Sequence, residues 1–187
     1  MEVKAGQFLA VHSEGFLPDS IQFFERIQEF RENDKPKLIV NHIAEIIHDE
    51  NGILSVYEMG AKGCVKKAWT ESDYFKNKSK FVILELIDNF NSLQLLNYTI
   101  AIRNDKGKGY DFLGILHQII FTLTGIWLGK TGSDAKKRFY CSEQAATRIH
   151  EQKPLMFPKP YQVNPQIFFE DKGLKIVGSN FDLTKIN

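Results

Sequence analysis

The chain has 187 residues, with 24 basic and 23 acidic side chains and a net charge of +1. This balance gives no electrostatic basis for capturing nucleic acid, so we expect no nucleic-acid partner. The length suits one domain with its own core, and two cysteines are too few for the disulfide framework of a small secreted protein.

Strand patterns dominate the first half of the chain. Residues 5–13 alternate loosely and predict a strand, and residues 17–32 place apolar side chains at helical spacing after a polar cap. Residues 37–48 and 53–60 are rich in β-forming side chains and flank the turn sequence DENG, which predicts a hairpin.

The rest of the chain mixes strands and helices. Residues 70–80 form a charged loop, and residues 80–87 predict a strand. Residues 93–104 and 142–150 predict helices, and residues 167–179 are expected to close as a final hairpin. The mixture indicates an α+β protein.

The longest apolar run lies between Phe112 and Leu128. Polar side chains and two glycines interrupt it, so it is shorter and more polar than a typical membrane span. We expect a buried or groove-lining helix here, with membrane contact as the alternative. The first 15 residues lack the apolar core of a secretory signal, which predicts a cytoplasmic protein.

Cys141 stands where the helix over 142–150 begins, between a tyrosine and three polar residues. A structural cysteine usually lies among apolar residues, so these neighbours indicate a thiol that a substrate can reach. A helix N-terminus also lowers the pKa of a thiol and offers N–H groups to a developing oxyanion. Cys141 is therefore the candidate nucleophile, with a semi-buried cysteine of no catalytic role as the alternative.

His42 is the histidine we select as the base for such a thiol. It interrupts a run of Ile and Val, although a core histidine bonded to the backbone would also fit this place. His48 is expected in solvent at the hairpin tip. His150 lies roughly 13 Å along the helix from Cys141, which is too far for proton transfer.

The turn of the predicted hairpin decides whether an acid can orient His42. If the turn spans residues 49–51, His42 lies directly opposite Glu58 and both side chains share one face of the sheet. A two-residue turn at 51–52, which the Asn-Gly pair favours, would send Glu58 to the other face. Glu45 is expected in solvent on the face opposite His42.

Five short motifs resemble the circularly permuted branch of the NlpC/P60 papain-like superfamily, in particular its YiiX-type group of cell-wall-hydrolase relatives. In chain order they are GQFLAV, NHIAEII, VYEMGAKGCV, KGYDFLG and FYCSEQA. In that branch the histidine and the acid precede the cysteine, as His42 and Glu58 precede Cys141 here. The resemblance covers about residues 5–150.

The resemblance implies a papain-like fold, in which an antiparallel sheet or partial barrel packs against helices and the nucleophile starts a helix. It also implies that Cys141 is the nucleophile, His42 the general base and Glu58 the residue that orients His42. Two positions depart from the family pattern: Gln7 replaces an aspartate and Asn41 replaces a serine.

We therefore expect one domain over residues 1–187, with a core at about 5–150 and a C-terminal extension over 151–187. The predicted function is a cysteine hydrolase that cleaves an amide bond in a peptide or a peptidoglycan stem peptide. A cell-wall substrate would require release of this cytoplasmic protein by lysis or another route. The alternatives are a lipid-directed acyl hydrolase or acyltransferase on the same triad, and a non-catalytic binding module of the same fold.

No cofactor is predicted. A metal site built from Cys64, Cys141 and His42 lacks recognisable zinc-ligand spacing, so no metal is predicted either. Cys64 is expected to be a small packing residue at the start of a strand.

Overall fold

The structure is a computed structural model that describes residues 2–12, 38–129 and 138–182, so the helix predicted over 17–32 lies outside it. The strands are β1 (Gln7–His12), β2 (His42–His48), β3 (Leu54–Gly60), β4 (Gly63–Ala68), β5 (Lys80–Leu86), β6 (Gly109–Tyr110), β7 (Arg138–Phe139) and β8 (Leu174–Ser179). The helices are α1 (Ser92–Asn104), α2 (Phe112–Thr124), α3 (Cys141–Gln152) and α4 (Pro165–Phe169), with single 3₁₀ turns at Trp69–Glu71 and Pro160–Gln162.

Six of these strands form one antiparallel sheet in the order β4-β3-β2-β1-β5-β8. Strand β2 lies inside the sheet, and helix α3 packs across it with α1 at its side. The remaining strands, β6 and β7, form a short parallel pair that brings the start of α2 next to the start of α3. The α+β class predicted from the sequence is confirmed.

Side chains along β2 alternate between two apolar cores. Ile43 belongs to the larger core, between the sheet and helices α1 and α3. Ala44 belongs to a smaller core on the opposite face of the sheet. Alternation therefore puts Glu45 on the helix side of the sheet and His42 on the side of the smaller core.

The turn of the β2–β3 hairpin spans residues 50–52. The Asp49 N–H donates to the Ile53 carbonyl at 2.8 Å and closes the loop. The Asp49 carboxylate also accepts from the Asn51 and Ile53 N–H groups, at 2.9 Å each. Gly52 has a φ of 75°, in the left-handed region that favours glycine, so this three-residue turn comes one position later than the predicted one.

This turn sets a register that differs from both predicted ones. Ala44, rather than His42, lies opposite Glu58. The offset between His42 and Glu58 is two residues, so the two side chains remain on one face as a diagonal pair. The same-face arrangement is confirmed, and the direct pairing is wrong.

The predicted hairpin over 167–179 is wrong. The Asn164 side chain accepts from the Ile167 N–H at 2.7 Å, and Pro165 fills the first helical position, so helix α4 begins here. Strand β8 then pairs with β5 at the edge of the main sheet. The chain after residue 150 thus completes the sheet, and its division from the core stays a prediction.

The apolar run over 112–128 forms helix α2 as far as Thr124. The helix is not buried, because Phe112, Leu113 and Leu116 are each at least half exposed. A groove-lining arrangement stays a prediction. Within the described ranges, no helix is long and apolar enough to cross a membrane.

Candidate active site

Helix α3 begins at Cys141, where the sequence predicts a helix start. The Tyr140 N–H donates to the Glu143 carboxylate at 3.4 Å across the first turn. The Ser142 hydroxyl donates to the Val163 carbonyl at 2.7 Å, which ties this turn to the chain after α3. The thiol therefore has a fixed place at a helix N-terminus, where backbone N–H groups have no partner inside the helix.

Cys141 is buried, with 2% of its surface exposed, so the accessible thiol expected from its polar neighbours is not observed. Ser142 and Gln144 are fully buried as well. Their polar groups bond within the protein, as when the Gln144 amide donates to the Asp105 carboxylate at 3.2 Å. The polar neighbours of the cysteine therefore point into the protein instead of facing solvent, and among the described residues the side-chain oxygen of Gln144 has no hydrogen-bond partner.

The structure brings the three predicted site residues together. Nε2 of His42 lies 3.0 Å from Oε2 of Glu58. The Cys141 thiol lies close enough to the same ring for each group to shift the pKa of the other. The side chains of His42 and Glu58 are 19% and 21% exposed, so the site meets the surface on their side and is closed behind the thiol.

A fourth residue, Tyr74, completes the arrangement and was missed from the sequence. Its hydroxyl donates to Oε2 of Glu58 at 2.5 Å, the same oxygen that His42 contacts. Tyr74 lies in the segment 70–80, which was predicted to be a loop because of its charged residues. The aromatic residues Tyr74 and Phe75 within this loop, and Trp69 directly before it, were the available signal that it packs onto the sheet.

The charges of Cys141 and His42 stabilise each other. Burial alone would raise the pKa of the Cys141 thiol, but the charge of His42 and its hydrogen bond outweigh burial and lower this pKa. Burial alone would lower the pKa of His42, but Cys141 and Glu58 together raise it well above its usual value. These opposite directions favour a thiolate–imidazolium pair.

Backbone donors and the acid complete the electrostatics of the site. The backbone groups of Ile43 and Ser142 hydrogen-bond to the Cys141 sulfur and lower the pKa of the thiol further. Burial would raise the pKa of Glu58, but hydrogen bonds from His42 and Tyr74 lower it, so Glu58 keeps its negative charge.

The two departures from the family pattern lie at different distances from the site. Gln7 is opposite Ile46, about 13 Å along β2 from His42 at the usual rise per residue. The Gln7 amide donates to Glu85 at 3.0 Å, so it takes no part in the site. Asn41 directly precedes His42 and is buried, and its N–H donates into β1.

The other candidates have different surroundings. His48 is exposed at the end of β2, as expected. His150 contacts the Met156 carbonyl through Nδ1 at 3.1 Å. Cys64 is free and buried, and burial raises its pKa to about 12, which suits the packing role predicted for it.

Glu45 is fully buried, so its predicted exposure to solvent is wrong. It lies on the helix side of β2, opposite Tyr57 of β3. Among the residues that the structure describes, neither of its carboxylate oxygens has a hydrogen-bond partner. Burial, together with the charges of Asp105 and Cys141, raises its pKa well above the usual value, so the neutral carboxyl is favoured.

Comparison with known proteins supports the fold. No family model matches the chain, and no curated protein matches it in sequence. The crystal structure of metalloprotein yiiX from Escherichia coli O157:H7 (DUF1105) is similar, with a TM-score of 0.55 over 96% of this chain and 98% of that one. The identity is 14%, so this likeness shows a YiiX-like fold and nothing finer.

Proposed function

We propose that this protein is a cysteine hydrolase that cleaves an amide bond in a peptide or a peptidoglycan stem peptide. The observation that carries the proposal is the cluster of Cys141, His42 and Glu58. In it, Nε2 of His42 lies 3.0 Å from Glu58, and the thiol lies close enough to the imidazole for each to shift the pKa of the other. A nucleophile, a base and an orienting acid in hydrogen-bond contact are the groups that acyl transfer needs.

In the first step the Cys141 thiolate adds to the carbonyl carbon of the amide. The carbonyl oxygen takes up the negative charge, and the free N–H groups at the start of α3 can bind it. Protonated His42 gives its proton to the amine nitrogen as the C–N bond breaks. The amine leaves, and the acyl group remains on the sulfur as a thioester.

In the second step His42 removes a proton from water, and the hydroxide adds to the thioester carbonyl. The C–S bond breaks, the carboxylic acid leaves, and the thiolate–imidazolium pair is restored. Glu58 keeps the imidazole ring in one orientation through both steps. Because Cys141 is closed from behind, the carbonyl has to approach along the exposed side of His42 and Glu58.

The donor set does not fit a metal ion, although the similar solved structure is called a metalloprotein. Nε2 of His42 is engaged by Glu58, and the contacting Glu58 oxygen also accepts from Tyr74. A catalytic zinc site needs three protein ligands. No group of three or more His, Cys, Asp and Glu side chains in the described part of the chain could hold a metal ion.

Lipid acyl chemistry on the same triad is the second candidate function. The observation that favours it is the exposed apolar face of α2 at Phe112, Leu113 and Leu116. This helix starts close to the thiol, because strands β6 and β7 pair Tyr110, two residues before α2, with Phe139, two residues before Cys141. An acyl chain could therefore lie along α2 while its carbonyl reaches Cys141.

Electrophilic probes of the two classes test the proposal. The protein is incubated with a peptide vinyl sulfone or a long-chain β-lactone, and the adduct is located by intact-protein and peptide mass spectrometry. We expect one adduct from the peptide probe, on Cys141, and hydrolysis of the matching stem peptide. His42→Ala should slow both reactions by about 10²–10⁴-fold, the range for loss of a general base.

Cys64→Ser is the matched control and should label like the wild type, because burial raises the pKa of the Cys64 thiol to about 12 and leaves it a poor nucleophile. An adduct from the β-lactone alone would contradict the amidase and favour the lipid-directed acyl hydrolase. If neither probe modifies Cys141, the hydrolase is wrong and the non-catalytic binding module is favoured.

A further inference from the structure

We propose that Tyr74 is a positioning residue: its hydroxyl holds the Glu58 carboxylate against His42. The inference rests on the proposed function. It adds a fourth group to the chain of contacts, so that the order is Tyr74, Glu58, His42 and Cys141.

The hairpin register explains why Glu58 needs a second contact. Glu58 lies opposite Ala44, so its side chain must reach diagonally by two residues to meet His42. A glutamate has three side-chain torsions, and this long reach leaves its carboxylate free to turn unless another group holds it. The Tyr74 hydroxyl meets the same oxygen as His42 and removes that freedom.

Tyr74 is itself held rigidly. It is 7% exposed, and its ring meets the Phe81 ring edge to face, with the centroids 5.9 Å apart. The preceding turn is fixed by the Ser72 hydroxyl, which donates to the Trp69 carbonyl at 2.7 Å. The Tyr74 carbonyl accepts from the Asn77 N–H at 3.0 Å. These contacts therefore fix the position of the Tyr74 hydroxyl.

The direction of the hydrogen bond also suits this role. Burial and the neighbouring Glu58 charge raise the pKa of Tyr74 well above its usual value, so the hydroxyl keeps its proton and donates. A carboxylate that accepts from Tyr74 and from His42 remains ionised and points at the imidazolium.

The test compares the rate of Cys141 alkylation by iodoacetamide from pH 5 to 9 in the wild type and in Tyr74→Phe, with adducts assigned by mass mapping. Without the hydroxyl, Glu58 can turn away, the imidazolium is less stabilised, and the pKa of Cys141 rises. The alkylation rate should fall by about three- to tenfold at pH 6, since one pKa unit is a tenfold change in thiolate fraction.

A double-mutant cycle separates positioning from general packing. In a Glu58→Gln background, Tyr74→Phe should add no further shift of the pH profile, because the charge that it orients is gone. A shift of equal size in both backgrounds overturns the positioning role. Tyr57→Phe, which deletes a buried hydroxyl from the other face of the sheet, is the matched control and should keep the wild-type profile.

Failure of this inference is distinct from failure of the proposed function. If wild-type Cys141 is acidic and depends on His42, but Tyr74→Phe leaves the profile unchanged, only the role of Tyr74 is overturned. If wild-type Cys141 titrates as an ordinary cysteine, both fail. If Tyr74→Phe does not fold, Tyr74 is replaced by 3-fluorotyrosine, whose hydroxyl is a stronger hydrogen-bond donor. A shift of the pH profile of Cys141 alkylation to lower pH supports the positioning role. An unchanged profile, or a shift to higher pH, overturns it.

Discussion

Two buried acids of the site region, Cys141 and Glu45, have pKa values that move in opposite directions. Burial favours the neutral form of both. Cys141 has a cationic partner in His42 and hydrogen bonds from the backbone, so its anion is favoured. Glu45 has no hydrogen-bond partner among the described residues and lies near other negative groups, so its anion is disfavoured. Partners, rather than burial, decide which acid ionises.

The buried carboxyl of Glu45 makes stability fall as pH rises. Unfolded Glu45 loses its proton near pH 4.5, whereas the folded protein retains it to higher pH, so the folded state binds more protons in between. The slope in this window is about 1.4 kcal/mol per pH unit for one such group. We expect Glu45→Gln to gain stability relative to the wild type between pH 5 and 8, measured by urea unfolding.

Glu50→Gln is the control for this measurement. Glu50 lies exposed in the turn of the same hairpin, and its pKa is lowered, so its titration falls below the window. The free energy of unfolding of Glu50→Gln should differ from that of the wild type by a constant amount from pH 5 to 8. If the free energy of unfolding of Glu45→Gln also keeps a constant difference from that of the wild type, the carboxyl of Glu45 is ionised in the folded protein and the raised pKa is wrong.

At the scale of elements, the β2–β3 hairpin positions the acid of the site, and its turn depends on one glycine. Gly52 has a φ of 75°, and a Cβ added there would meet nothing within 4 Å, so an added methyl group strains the backbone without meeting a neighbour. Gly52→Ala should therefore lower the free energy of unfolding by about 1–2 kcal/mol. Chemical denaturation of the variant measures this loss directly.

Gly60→Ala is the matched control, because Gly60 lies in β3, has open space around it and does not have a positive φ. Its effect should stay within about 0.5 kcal/mol. Equal losses in the two variants would mean that the left-handed turn does not fix the hairpin.

At the scale of the whole molecule, local patterns were enough to predict most elements of the sheet and the helix that begins at Cys141. Strand alternation and capping act over a few neighbouring residues, and these are visible in the sequence. Alternation left two registers open for His42 and Glu58, and only the one with a three-residue turn put both side chains on one face. The structure has a three-residue turn, at a position one residue later than predicted.

The rest depends on contacts between distant segments. Tyr74 reaches Glu58 across the sheet, Glu45 is covered by α3, and Ser142 finds its acceptor in the chain after α3. Polar residues in such places look like surface residues in the sequence, because their buried partners lie far along the chain. The pairing of the final strand was wrong for the same reason, since β8 pairs with β5 rather than with its own neighbour.

The measurement that tests the central claim most directly is the pH profile of Cys141 alkylation in the wild type and in His42→Ala, with Cys64 as the internal reference. The lowered pKa of Cys141 and the raised pKa of His42 predict fast alkylation near pH 6 in the wild type and loss of that reactivity in His42→Ala. Cys64 should stay unreactive throughout, because burial raises its pKa to about 12. If Cys141 instead titrates near the ordinary cysteine pKa of about 8.5 in both proteins, the thiolate–imidazolium pair does not exist and the proposed hydrolase is wrong.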